Sequence, residues 1–167
     1  MFANQRLHAH ICGMDEIDRR LLNLVQKDSR RTAEQLAEDL PLSPTAITRR
    51  LHRLRADGTI EREVALLGAK VQEARITAVI QLQFDRHSPA ELAELKRTLA
   101  AAPEVQICVE ITGTSDMLII ASTRDMAHFN ELGDRIGGQP LVRRYETSFV
   151  KRRIKMSLAV ELEAAGD

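Results

Sequence analysis

Tryptophan is absent from this 167-residue chain, tyrosine occurs once and phenylalanine four times, which leaves the interior to aliphatic side chains. Cysteine occurs only at Cys12 and Cys108. Two thiols so far apart make neither a disulfide framework nor a four-thiol zinc site, and a reducing, cytoplasmic setting is the default expectation. No apolar run approaches the ~18 residues of a membrane-spanning helix. Net charge is missing too, with 24 basic side chains against 24 acidic. An apolar share of 44% excludes a disordered tail and fits one ample domain or two small ones.

The balance of charge hides an asymmetry. Residues 1–70 carry a net +2, residues 71–141 a net −4 and residues 142–167 a net +2, so the two halves are expected to meet different partners. Residues 1–13 lack the basic-then-apolar order of a signal peptide and are expected to be a flexible extension. His8, His10 and Cys12 alternate there, but too few ligands accompany them to hold a metal. Met14, just before the first helical pattern, is an alternative start.

From Asp15 onward Ile17, Leu21, Leu24 and Val25 repeat with helical spacing, behind acidic residues that suit a helix start. Thr32 with Gln35 forms a capping box for a second helix that Pro41 ends. Ser43 as cap and Pro44 in the first turn open a third helix, which Gly58 terminates.

At about 100° per residue, Ile47, Leu51 and Leu54 of this third helix fall within about 40° of one line. Thr45, Thr48, Arg49, His52 and Arg53 then face outward, and residues 43–56 contain no acid. Small hydroxyls at the start and guanidinium groups further on suit a helix that enters a DNA major groove. A solvated basic face is the alternative; the preceding helix and the tight turn through Leu42 favour a helix-turn-helix.

The polar and apolar alternation of residues 59–66 predicts a short hairpin, the wing of a winged helix. Residues 67–75 read as a linker. Beyond it Ile76, Ala78, Ile80, Leu82 and Phe84 alternate as a strand, and Ser88 with Glu91 makes a second capping box ahead of Leu92, Leu95 and Leu99. Two further strands surround a turn at residues 113–116. Asp125 caps a helix using Met126, Phe129, Leu132 and Ile136, and residues 142–150 give a last strand. The order βαββαβ is the ferredoxin-like unit, an antiparallel sheet with two helices on one face. Thr77, Val79, Cys108 and Ile119 are expected on the open face, which an identical sheet could cover.

The expected fold class is therefore α+β: a winged helix-turn-helix over residues 14–66, a linker over 67–75, a ferredoxin-like effector and dimerisation domain over 76–156, and a tail over 157–167. The run Asp15-Glu16-Ile17-Asp18-Arg19-Arg20-Leu21-Leu22, the Leu42-Ser43-Pro44 entry, Arg49-Arg50-Leu51, Asp57-Gly58-Thr59-Ile60, Pro103-Glu104-Val105, Gly113-Thr114-Ser115-Asp116 and Thr147-Ser148-Phe149 stand in an order and spacing that resembles the Lrp/AsnC family of feast/famine regulators. The resemblance runs from residue 14 to about 156. It implies a transcriptional regulator of double-stranded DNA that dimerises through its sheets, assembles further to an octamer, and responds to an amino acid or related metabolite.

Carried over to this sequence, the resemblance puts DNA contacts on Ser43, Thr45, Thr48, Arg49, Arg50 and Arg53, and the effector pocket on Gly113, Thr114, Ser115, Asp116 and Met117. Thr114 and Met117 stand where the family more often has an acidic and an aromatic residue. Glycine admits a ligand carboxylate to backbone N–H groups, and Asp116 could accept from an ammonium group. A plain turn in which Asp116 bonds its own chain is the alternative. Three arginines per subunit on phosphates imply a dimer salt slope of about −5. The Lys151-Arg152-Arg153-Ile154-Lys155 run is expected to be a solvated strand end.

Some proteins that share this two-domain plan decarboxylate sirohaem with effector-domain histidines. Here His87 precedes a helix and His128 lies within one, neither near residue 113, and no nucleophile and base pair accompanies them. No enzyme, metal or cofactor is expected. A sirohaem-decarboxylase-like enzyme or a stand-alone metabolite sensor is the alternative function.

Overall fold

A computed structural model describes residues 14–85 and 88–163. His8, His10, Cys12 and His87 lie outside the described residues. The chain forms two compact units, one built from residues 14–65 together with residues 156–163, the other from Leu66–Lys155.

In the first unit, α1 (Glu16–Val25), α2 (Ala33–Ala37) and α3 (Pro44–Ala56) follow one another through short turns. Their starts are fixed by side-chain caps. Asp15 accepts from the Asp18 N–H, Thr32 and Gln35 complete a capping box, and Ser43 accepts from the Ala46 N–H. Gly58 adopts φ +79° just beyond α3, the left-handed position that closes a helix. Leu21, Leu22, Leu36, Leu40, Ile47, Leu51 and Leu54 fill the core, with Ile60 and Leu162 packed against it. The buried line of α1 runs through Asp18, Leu21 and Leu22 rather than through Ile17.

No strand forms over residues 59–66. The wing hairpin expected there is replaced by irregular chain, because residues 61–63 are all charged, supply no turn glycine or asparagine, and Val64 and Leu66 stay exposed among the described residues. A short helix, α4 (Ala69–Glu73), lies within the expected linker.

The second unit holds β1 (Ile76–Phe84), α5 (Pro89–Ala101), β2 (Val105–Glu110), β3 (Met117–Thr123), α6 (Met126–Gly137) and β4 (Val142–Phe149). The strands form one antiparallel sheet in the order β2-β3-β1-β4, as a ferredoxin-like unit requires. Ala78, Ile80, Leu82, Met117, Ile119 and Ala121 face the helices, where Leu95, Leu99, Phe129, Leu132 and Ile136 meet them. Met126, expected in this core, is exposed at the start of α6.

Two residues expected on the open face lie on the other one. Ile119 is fully buried under the helices and pairs in register with Cys108, which packs beside it. The register slips at Gln106, and this irregularity turns Val105 and Cys108 to the same side. The open face therefore presents Ile107, Val109, Leu118, Ile120 and Val79, an apolar stripe across β2, β3 and β1.

Candidate nucleic-acid interface and effector loop

On α3 the sequence separates two faces cleanly. Ile47, Leu51 and Leu54 are buried, while Thr45, Thr48, Arg49, His52 and Arg53 are exposed. An open groove along this surface is lined by Glu34, Pro44, Thr45, Thr48, Arg49 and His52. Two hydroxyls at the helix start are already engaged: Ser43 caps the helix, and the Thr48 hydroxyl donates to the Pro44 carbonyl at 3.0 Å. Thr45 is exposed and lines the same groove.

The arginines divide into three kinds. Arg49 is exposed, lines the groove and has no ion-pair partner among the described residues. Arg50 is tied down: its Nη1 donates to Asp15 at 2.6 Å and to Asp18 at 2.8 Å, and its side chain is only 22% exposed. Arg53 also pairs with Asp18 but keeps about half of its surface in solvent. Asp18 itself is buried at the α1 and α3 contact, so two guanidinium groups compensate one carboxylate that would otherwise be stranded. Arg50, joined to it, holds the Asp15 carboxyl below its usual range. In turn the Arg50 guanidinium is pushed further up by its bonds first to Asp15 and then to Asp18.

Glu34 and Asp18 escape a reading of the third helix alone. Asp18 carried a usable signal: it stands three and four residues before Leu21 and Leu22, on the apolar line of its helix, where a carboxylate needs a cationic partner. Glu34 gave none, because its place in the groove comes from the crossing of α2 and α3.

In the second unit the loop from β2 to β3 brings some of the expected effector residues together and sends others inward. Gly113 takes φ +132°, a conformation essentially reserved for glycine, with open space around it. Thr114 and Asp116 are exposed beside it. Ser115 turns in, buried, and its Oγ donates to Gln81 Oε1 at 3.1 Å. Met117 is buried in the core, its sulfur 3.6 Å from that of Cys108. Burial pushes the Cys108 thiol up, with Glu110 adding to it against Lys96. Asp116 pins the loop to β1: one of its carboxylate oxygens accepts from the Phe84 N–H at 2.8 Å, and its own N–H donates to the Leu82 carbonyl at 2.9 Å. The loop is thus anchored by Ser115 and Asp116 and exposes backbone at its glycine.

His128 sits elsewhere, on α6. Its Nε2 is 2.8 Å from Glu104 Oε1, which also accepts from Arg135 at 2.7 Å. Burial pushes the Glu104 carboxyl up, but its own backbone N–H, His128 and Arg135 outweigh burial and hold it below its usual value. No group of three or more metal-ligating side chains gathers among the described residues, and no helix there is long and apolar enough to cross a membrane.

Comparison with known proteins finds two family models that match this chain. The AsnC-type helix-turn-helix domain model matches residues 14–55, and the Lrp/AsnC ligand binding domain model matches residues 77–160. An HTH-type transcriptional regulator of Sinorhizobium fredii is 33% identical over 158 residues, covering 94% of each chain. The leucine-responsive regulatory protein of Escherichia coli is 29% identical over 145 residues, 86% of this chain and 88% of that one. Among solved structures, an AsnC family transcriptional regulator from Agrobacterium tumefaciens superposes with a TM-score of 0.79 at 29% identity, over 89% of this chain and 97% of that one. A transcriptional regulator of Neisseria meningitidis in complex with L-methionine gives 0.79 at 28%, with the same coverage.

Proposed function

The chain belongs to the Lrp/AsnC family of helix-turn-helix transcriptional regulators, and from that premise we propose that α3 reads double-stranded DNA mainly through Thr45, Thr48 and Arg49 while the loop of residues 111–116 takes an amino-acid effector. The observation that carries the DNA reading is the acid-free outer face of α3, on which Arg49 alone among the described arginines of that helix has no carboxylate partner. A guanidinium left unpaired beside small hydroxyls is available to fork onto guanine or to replace a phosphate counterion. Arg50 serves by positioning α3 on α1, and Arg53 divides its charge between Asp18 and solvent. Ser43 acts as the helix cap.

The effector reading rests on the glycine backbone at 113 and on Asp116 at the end of the same loop. The exposed N–H groups there suit a carboxylate, and the Asp116 oxygen not bonded to Phe84 suits an ammonium group. The Neisseria relative's methionine complex supports an amino acid as the ligand class. The apolar stripe of Ile107, Val109, Leu118 and Ile120 supports dimerisation sheet to sheet, with an octamer as the next level of assembly. Such a dimer would set two α3 helices about one turn of DNA apart, ~10 bp between half-sites. A cytoplasmic setting follows from that role.

Titrating fluorescent promoter fragments from the chain's own genome tests the DNA reading. Tight binding to some fragments over random duplex supports it; uniform failure to bind in dilute buffer refutes it. A thermal-shift screen of the amino acids against parent and Asp116→Asn protein tests the effector reading, which fails when the two give the same profile.

A further inference from the structure

Asparagine is a poor residue for the last turn of a helix, yet Asn23 stands there in α1, and Gln26 follows one turn later as its cap. What a carboxamide offers, and no charged side chain does, is a donor and an acceptor side by side. Both are used. Asn23 donates to the Leu162 carbonyl and accepts from the Leu162 N–H, each at 3.0 Å. Gln26 donates to the Val160 carbonyl at 3.0 Å and accepts from the Val160 N–H at 2.8 Å.

Residues 160 and 162 lie two apart, and the N–H and C=O of both turn toward α1, so their backbone groups share one edge as in a β-strand. The two amides thus imitate the edge of a neighbouring strand. Main-chain pairing of this kind supplies affinity without sequence preference, and a side-chain pocket supplies the selectivity. Here Leu162 is the anchor: it is half-buried against the core of the first unit, whereas Leu158 and Val160 stay exposed.

We propose that Asn23 and Gln26 form a docking edge for extended polypeptide whose occupant is this chain's own segment of residues 158–163, which acts as a strap. The chain passes between the two units twice, once at residues 65 and 66 and again at residues 155 and 156. The strap therefore gives the DNA-reading unit a second attachment to the effector unit. Its anchor is α1, the helix that orients α3 through Asp18. This assignment stands whether or not α3 binds DNA.

Amide hydrogen exchange on the full chain, resolved by residue with NMR, tests it. In the parent the Val160 and Leu162 N–H groups are expected to exchange at least about ten-fold more slowly than those of Glu161 and Glu163, an alternation that collapse of a sticky tail would not produce. In Asn23→Leu/Gln26→Leu the alternation should vanish while the core amides of Leu22 and Leu51 stay protected. Should that variant fail to fold, deletion of residues 157–167 gives the reciprocal readout: the carboxamide protons of Asn23 and Gln26, slow in the parent, become fast. Uniform exchange along residues 158–163 in the parent, or protection that survives either change, overturns the proposal. Coupling Gln26→Cys/Val160→Cys with a short bis-maleimide, with Cys12 and Cys108 replaced by alanine, should give a one-chain product. A two-chain product would place the strap on a second copy and overturn the assignment to this chain.

Discussion

Replacing Arg49 by alanine separates the arginine proposed to face DNA from the arginines that hold the fold. Arg49 is exposed and unpaired among the described residues, so its loss removes no ion pair, and folding stability should stay within the ordinary scatter of surface substitutions, about ±0.5 kcal/mol. Binding should suffer instead. A bidentate contact to guanine is worth about 1–3 kcal/mol, which corresponds to a loss of roughly 5- to 150-fold per half-site. If Arg49 instead sits on a phosphate, its loss shows in the salt dependence. With three arginines per subunit on phosphates a dimer would show a slope of about −5; with Arg50 held by Asp15 and Asp18, Arg49 alone gives about −2. If Arg53 trades Asp18 for a phosphate, the ceiling is about −4. Fluorescence anisotropy of a promoter fragment over a range of potassium chloride concentrations measures both quantities. Arg50→Ala is the control: it strips a buried carboxylate of one partner and should destabilise the first unit by roughly 1–3 kcal/mol while leaving the salt slope unchanged. If Arg50→Ala flattens the slope as much as Arg49→Ala without lowering the melting temperature, the division of roles is wrong.

Asp116→Asn keeps an acceptor for the Phe84 N–H but drops the charge, so thermal stability should hold while the response to an amino acid disappears; Asp116→Ala should lose both, with the fold paying about 1–2 kcal/mol. Gly113→Ala meets no atoms but forces a side chain into φ +132°, and a loss of about 1–3 kcal/mol in denaturant unfolding is expected. Because the Glu104 carboxyl is held low in the folded state, it stabilises the protein above its ordinary pKa, and that stabilisation fades as pH falls through the lowered value. Melting curves of Glu104→Gln against pH should therefore lack part of the parent's acid limb; an unchanged limb refutes the assignment. Val109→Asp alters a residue 44% exposed in the single chain, so size-exclusion chromatography should show smaller particles with an intact fold, and an unchanged elution volume would count against sheet-to-sheet assembly.

Where the chemistry is local, the sequence announces the structure. The caps at Thr32, Ser43, Ser88 and Asp125 each require only residues within one turn, and all four form. The apolar stripe of α3 and the alternation of β1 are equally local. The misses are non-local. Leu118, Ile119 and Ile120 are apolar in succession, so periodicity does not say which face of β3 is covered; the pairing with β1 decides it. The slip at Gln106 depends on how β2 meets β3, 11 or more residues away. Arg50 reads as one more cation on a basic helix until Asp18, 32 residues earlier, is seen to claim it. Likewise a hairpin pattern over residues 59–66 predicts a wing only if something covers its apolar side, and in this chain nothing described does.

The membership of residues 156–163 in the first unit has a consequence for how the protein is made. The helices of that unit leave the ribosome before the second unit, and Leu162, which packs against their core, leaves only after it. Roughly 100 residues separate the two events, about 5–20 seconds of synthesis. During that interval the nascent helix trio carries an uncovered seam, and any product released early keeps it.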